Sequence, residues 1–278
     1  MGTRRAAFDR PRTLWGVTAL VLALLYLPLG VVFLYSFNSS SSLVQFDGFS
    51  FQWYRAVLDN GQMLDSLRVS VEVAVVTTVV SVVLGTLLSF GVVRGMAALG
   101  RPVQASVLLR VVTPETATGV ALLLMFTQLG VTLSRVTLVL AHVSLCIAFV
   151  AVVITSRLSQ LNHEVEEAAM DLGATRLQSV WLVAIPALRP AIVSSALLSF
   201  VLSFDNFITS FFTSGIGVPP LPVRIYSMIR YGVSPEVNAI GACMLVITVL
   251  VIVLAMLVAR LGGRRRTPDF RQEDATIV

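Results

Sequence analysis

The sequence predicts an all-α integral membrane fold of six transmembrane helices joined by turns and one long polar loop. Three observations predict it. Hydrophobic residues occupy 56% of the 278 positions and charged residues only 13%, whereas a soluble domain carries about 25% charged residues. Six separate apolar runs each reach the roughly 20 residues that a helix needs to cross the hydrocarbon layer. Arginine is spread unevenly over the segments between those runs, as expected of a multi-pass protein.

The first run is 14–37. Arg4, Arg5, Arg10 and Arg12 precede it, as they would a secretory signal. A signal's apolar stretch is about 7–15 residues long and leads to a small-residue cleavage site. This run is longer and ends in Tyr35-Ser36-Phe37-Asn38, so it reads as an uncleaved first span. The second run, 67–93, follows a segment carrying Phe49, Phe51, Trp53 and Tyr54, an aromatic set suited to the headgroup layer or to an external partner. The third and fourth runs, 107–129 and 136–156, are separated only by Gly130 to Arg135. The fifth is 191–212 and the sixth 237–261; between them Gly215, Gly217, Pro219, Pro220 and Pro222 mark an ordered turn. The domain plan is therefore a tail at 1–13, a six-helix domain at 14–261 and a second tail at 262–278.

Placing the N-terminus in the cytoplasm puts fifteen of the twenty arginines inside or at inner helix ends, Arg110 among them. Arg55, Arg68, Arg135, Arg224 and Arg230 fall outside, and none is placed in mid-span. Both termini are then cytoplasmic. The Arg264-Arg265-Arg266 run reads as a stop-transfer cluster. The net charge of +5 therefore reports topology and contact with membrane lipid, with no nucleic acid partner expected.

Composition excludes several chemistries. All twenty basic residues are arginine, so there is no Walker A lysine to reach nucleotide phosphates and no amine for a Schiff base. If ATP drives this protein, another polypeptide binds it. Cys146 and Cys243 both lie in apolar runs and read as small core residues. His163-Glu164 begins an H-E-x-x-H motif, but position 167 is Glu, so no metal site is expected. His142, within the fourth run, reads as a hydrogen-bonded residue of a helix seam. No catalytic constellation is apparent.

The loop at 157–189 is the most informative segment. Leu161, Val165, Ala168, Ala169 and Leu172 recur at helical spacing, with His163, Glu164, Glu166, Glu167 and Asp171 on other faces. Gly173 is suited to the left-handed conformation that ends a helix. Thr175 can cap a second short helix through Leu177, Val180 and Trp181 before Pro186. The first helix is acidic, unlike the basic helices that rest on anionic lipid, which favours contact with a protein.

This loop resembles the signature of ABC-importer permeases, E-A-A, three residues, G, nine residues, then I-x-L-P. Here stand Glu167-Ala168-Ala169, Gly173 and Val183-Ala184-Ile185-Pro186 at that spacing, with Val183 and Ile185 as conservative departures. The resemblance implies a type I ABC-importer permease whose loop, through Glu167, Ala168, Ala169, Asp171, Gly173 and Pro186, is the coupling helix that docks on a cytoplasmic ATPase. It implies a non-catalytic chain working with a second permease subunit, two ATPase subunits and an extracytoplasmic substrate-binding protein. ATP and magnesium are then used by the ATPase, and this chain binds no cofactor.

The resemblance extends to the spermidine/putrescine permeases through Leu202-Ser203-Phe204-Asp205-Asn206, Leu221-Pro222-Val223-Arg224-Ile225-Tyr226-Ser227-Met228 and Gly232-Val233-Ser234-Pro235-Glu236-Val237-Asn238-Ala239. Pro114-Glu115 stands for that group's Pro-Asp, and Asn206 replaces its second acid. The implied function is passage of a polyamine, the alternatives being another small solute (a cation, iron or a phosphonate) or a self-contained secondary transporter. The last commonly shows inverted repeats, and no half-to-half similarity is visible. The candidate substrate path comprises Asp205, Asn206, Ser203 and Glu115. An ionised Asp within a span costs about 2.5–3.5 kcal/mol on insertion scales. Ser195, Ser199, Ser203, Asn206, Ser210 and Thr213 form a polar stripe beside Asp205, either a helix seam or the wall of a water-filled path.

Overall fold

The computed structural model describes residues 12–42, 45–95, 97–231 and 235–263. The arginine clusters at 4–10 and 264–266, most of both predicted tails and Gly232-Val233-Ser234 lie outside the described residues. Among the described residues twelve α-helices follow one another: α1 Arg12–Tyr35, α2 Gln52–Asp59, α3 Gly61–Arg94, α4 Ala97–Val112, α5 Glu115–Gln128, α6 Arg135–Leu158, α7 Glu164–Asp171, α8 Arg176–Ser179, α9 Ile185–Phe204, α10 Ile208–Thr213, α11 Leu221–Tyr231 and α12 Glu236–Gly263. A π-helical turn, Val180–Ala184, joins α8 to α9. It precedes Pro186, whose missing N–H leaves the Leu182 carbonyl without its usual i+4 donor.

Five stretches are long and apolar enough to cross a membrane: Leu14–Tyr35, Gly61–Arg94, Arg135–Leu158, Arg176–Phe204 and Glu236–Leu257. The third run departs from the expectation of one straight helix. Within the run 107–129, α4 and α5 meet at a bend of 106°. Pro114 supplies no N–H and disfavours helical backbone at Thr113, so α4 stops at Val112 and α5 starts afresh at Glu115.

The fifth run is interrupted as well. α9 ends at Phe204, and only after Asp205, Asn206 and Phe207 does α10 begin. Asn206 is the cause. Its Oδ1 accepts the Thr209 N–H at 2.9 Å, while its carbonyl accepts the Ser210 hydroxyl at 2.7 Å. These local bonds compete with helix continuation.

The chain divides into two compact units, one of residues 1–61 with 227–245 and the other of 62–226 with 246–278. In the second, α3, α6 and α9 share a core. Val69 and Val73 pack on Leu138, while Val150, Ile154, Leu158 and Leu188 form a second cluster. Small residues let α3 approach closely. A Cβ at Gly85 would lie 2.7 Å from Val150 Cγ1, and Ser89 Oγ donates to the Gly85 carbonyl at 2.8 Å.

In the first unit the segment after α1 is organised around Asn38, which is buried. Its Nδ2 donates to the carbonyls of Ser42 and Gln45, and its Oδ1 accepts from the N–H groups of Ser40 and Asp47. The Asn38 carbonyl accepts from Trp53 Nε1 at 2.7 Å. Phe37, Phe51 and Tyr54 stack around this loop. Asn38→Ala leaves the Ser40 and Asp47 amides without their acceptor, at about 1–3 kcal/mol each where burial keeps water out. Faster hydrogen exchange at those two amides is the expected result.

Candidate functional site

The loop between α6 and α9 folds as helix, glycine corner, helix. α7 ends in a Schellman arrangement: Gly173 N–H donates to the Met170 carbonyl at 2.9 Å and Ala174 N–H to that of Ala169 at 3.0 Å. Gly173 has φ +94°. Thr175 and Gln178 then form a reciprocal capping box for α8, with bonds of 2.8 and 3.3 Å. Pro186 stands in the first turn of α9. Gly173→Ala forces a side chain into left-handed backbone at about 1–2 kcal/mol, and we expect a matching loss of amide-exchange protection in α7.

Helical spacing places Glu164, Glu167 and Asp171 correctly in the open, but not Glu166 or the apolar side chains. Glu166, expected on a polar face, is 5% exposed, whereas Leu172, expected on the apolar face, is 90% exposed. Two facts explain this. The Glu166 carboxylate is held by both terminal nitrogens of Arg94 at the end of α3, and its carbonyl accepts from Ser179 Oγ at 3.3 Å. Arg94 in turn lies 5.2 Å from the centre of the Phe90 ring, a cation–π contact. The outward side of the loop carries Val165, Leu172 and Leu177, with Glu167, Ala168 and Asp171 also exposed and Ala169 half-buried. Glu167 is 3.4 Å from His163 Nδ1. A cavity of about 450 Å³ separates α7 from the end of α3, lined by Arg94, Glu166, Glu167 and Arg176 among others.

The membrane-level candidates fall into two groups. Glu115, the first residue of α5, accepts from Asn206 Nδ2 at 2.5 Å and from Thr209 Oγ1 at 3.1 Å. The two interrupted spans are thus bonded to each other at their interruptions. Ser203, by contrast, is buried against His142 of α6. Ser195, Ser199, Ser203, Asn206, Ser210 and Thr213 are all buried, and Thr137 Oγ1 of α6 lies 3.2 Å from the Thr213 carbonyl. In this structure that stripe is a seam between helices.

Asp205 stands apart from it. Rather than lying inside a continuous helix, it ends α9, its N–H still bonded to the Val201 carbonyl at 3.0 Å. Its side chain is exposed and accepts from Thr248 Oγ1 of α12 at 2.8 Å. Thr248 is twelve residues into α12, about 18 Å from its start, near the middle of the apolar stretch Glu236–Leu257.

Arg110, expected at an inner helix end, stands in the last turn of α4 and is half-buried. Its Nε and Nη2 are buried without a hydrogen-bond partner, and Glu115 starts the next helix five positions on. Arg94, Glu166, Arg110 and His142 are the residues that sequence reasoning did not place at a site. Arg94, Arg110 and His142 share one legible signal, a polar group inside or at the end of an apolar run, whereas Glu166, within the polar loop, carries none.

Residues 81–267 match the family described as binding-protein-dependent transport system inner membrane component. The chain is 37% identical over 247 residues to the putrescine transport system permease protein PotI of Escherichia coli K12, covering 84% of this chain and 86% of that relative. It is 32% identical over 257 residues to the spermidine/putrescine transport system permease protein PotC of the same strain, covering 92% and 97%. Among solved structures, a bacterial ABC transporter that imports the acidic polysaccharide alginate matches with a TM-score of 0.64 at 19% identity, covering 91% of this chain and 98% of that one. The MetNI methionine ABC transporter in an inward-facing conformation matches at 0.53 and 21% identity, covering 74% and 96%. These likenesses extend to the fold.

Proposed function

Because this chain belongs to the binding-protein-dependent transport system inner membrane component family, as a multi-pass membrane permease, we propose that it carries a polyamine of the putrescine or spermidine kind across the bacterial inner membrane. The observation that carries the substrate reading is the pair of carboxylates at the two helix interruptions, Glu115 starting α5 and Asp205 ending α9. Acidic residues at membrane depth are costly to keep and mark the paths of cations. Interrupted helices are where transporters form such sites. The names of the relatives, PotI and PotC, support the same substrate class.

On this reading the chain is a non-catalytic half of the pathway, paired with a second permease subunit. Two ATPase subunits bind ATP and magnesium, and one of them docks on α7 through Glu167, Ala168, Ala169 and Asp171, with Gly173 and Pro186 setting the angle of the loop. An extracytoplasmic protein delivers the substrate. The side of the membrane bearing α7 is then cytoplasmic, as are both termini. The exposed Val165, Leu172 and Leu177 support docking, since an apolar surface of this kind on a loop is one that a partner covers. Asp205 lies on the translocation path, with Asn206 and Ser203 behind it holding the interruption and Glu115 in place.

The test is ATP hydrolysis by the assembled transporter with its binding protein. Polyamine-loaded binding protein should stimulate hydrolysis several-fold over the unloaded protein. Equal rates with and without polyamine, or stimulation only by ferric or phosphonate ligands, would contradict the substrate assignment.

A further inference from the structure

His142 lies in α6 and is 1% exposed. Its Nδ1 is 2.7 Å from Ser203 Oγ, in the last turn of α9, and its Nε2 is 3.0 Å from Ser210 Oγ, in α10. The two serines flank the interruption at 205–207. One imidazole therefore touches both halves of the broken span.

Proton counting assigns the ring. Ser210 has a single hydroxyl hydrogen, which it donates to the Asn206 carbonyl at 2.7 Å. Its oxygen is left to accept, so the ring donates from Nε2. In a neutral imidazole Nδ1 is then bare and accepts the Ser203 hydroxyl. Asn206 Nδ2 continues the series to Glu115. The sequence Ser203, His142, Ser210, Asn206, Glu115 thus connects α9, α6, α10 and α5.

A clamp is needed here. α10 has six residues, too few to hold its own orientation as an isolated helix, and the three residues before it lack continuous helical bonding. An imidazole is a rigid planar spacer whose two nitrogens point in different directions, and burial keeps water from replacing either bond.

We propose that His142 is a positioning residue that clamps the two halves of the fifth span, fixing the separation of Asp205 and Glu115 and so the length of dication the path accepts. The selectivity half of this rests on the polyamine reading given above; the clamp half does not. His142→Leu removes both bonds while keeping an apolar body. His142→Gln keeps one donor and one acceptor. Ser210→Ala removes one arm only.

Two measurements test it in the assembled transporter. The first is uptake of 1,4-diaminobutane against 1,5-diaminopentane in proteoliposomes with one binding protein throughout. His142→Leu should change the ratio of the two kcat/KM values by about tenfold, the size expected when a shaped site misreads one methylene, with His142→Gln restoring most of it. A uniform loss for both diamines, or no recovery with Gln, would make His142 a packing residue only.

The second is the distance distribution between spin labels on Leu198→Cys and Phe211→Cys, in a background of Cys146→Ala and Cys243→Ala. It should broaden in His142→Leu and, to a smaller extent, in Ser210→Ala. An unchanged narrow distribution in both would overturn the clamp. If wild-type protein moves neither diamine while this distribution broadens as stated, the polyamine reading fails and the clamp stands.

Discussion

Arg94→Gln is expected to lower ATP-driven uptake at least tenfold while the chain still inserts and assembles. Arg94 closes α3, a helix of 34 residues, and both its terminal nitrogens engage Glu166 on α7. The side chains of the pair are only 16% and 7% exposed. Removing one partner of such a pair leaves a buried charge uncompensated, at about 3–5 kcal/mol. That cost falls on the one side-chain ion pair seen, among the described residues, between α7 and a membrane helix.

On the coupling reading, α7 then loses its rigid connection to α3, and hydrolysis proceeds with little uptake. Arg94→Lys should recover only part of the loss, because an ammonium lacks the two-pronged geometry of guanidinium. The exchange Arg94→Glu with Glu166→Arg should recover more than either single reversal. Uptake per ATP at the wild-type value in Arg94→Gln would show that the pair has no role in coupling.

Asp205→Asn carries the second large effect. Its carboxylate is exposed and bonded to Thr248, and it takes no part in the buried seam, so the substitution should cost little stability. On the path reading it removes the charge that a passing ammonium group meets. A loss of one charge partner at a desolvated contact is worth about 2–5 kcal/mol, or roughly a hundredfold in uptake. Thr248→Val serves as the control, since it removes the hydrogen bond and keeps the charge. Loss of the complex on a gel-filtration column in Asp205→Asn would instead place this residue in a packing role between chains.

Much of the fold was legible because length and hydropathy alone define a span. Four of the five long apolar helical stretches found among the described residues fall on runs 14–37, 67–93, 136–156 and 237–261, whereas the remaining one, Arg176–Phe204, starts earlier than run 191–212, inside the polar loop. The bends were less legible, since an apolar window reads the same whether its helix is straight or broken. Pro114 carried the signal for the first bend, and Asn206, which bonds readily to nearby backbone, carried it for the second. The glycine corner at Gly173 and the cap at Thr175 were readable because both act within a few residues.

The faces of α7 were misread for a physical reason. A glutamate on an amphipathic helix is assigned to water unless its partner is known, and Arg94 is 72 positions away in sequence. The same distance problem hid the bonds from His142 to Ser203 and Ser210, and from Glu115 to Asn206. Periodicity found the polar stripe at 195–213 but did not distinguish a seam from a path. In the structure the serines are turned inward, while Asp205 is exposed and bonded to Thr248.

The most direct measurement is uptake of labelled putrescine into proteoliposomes that hold this chain with its partner permease, ATPase and binding protein. The account predicts concentrative uptake that requires ATP and falls about a hundredfold in Asp205→Asn, with assembly unchanged. Uptake that is absent in the wild type, or equal in the wild type and Asp205→Asn, would contradict it.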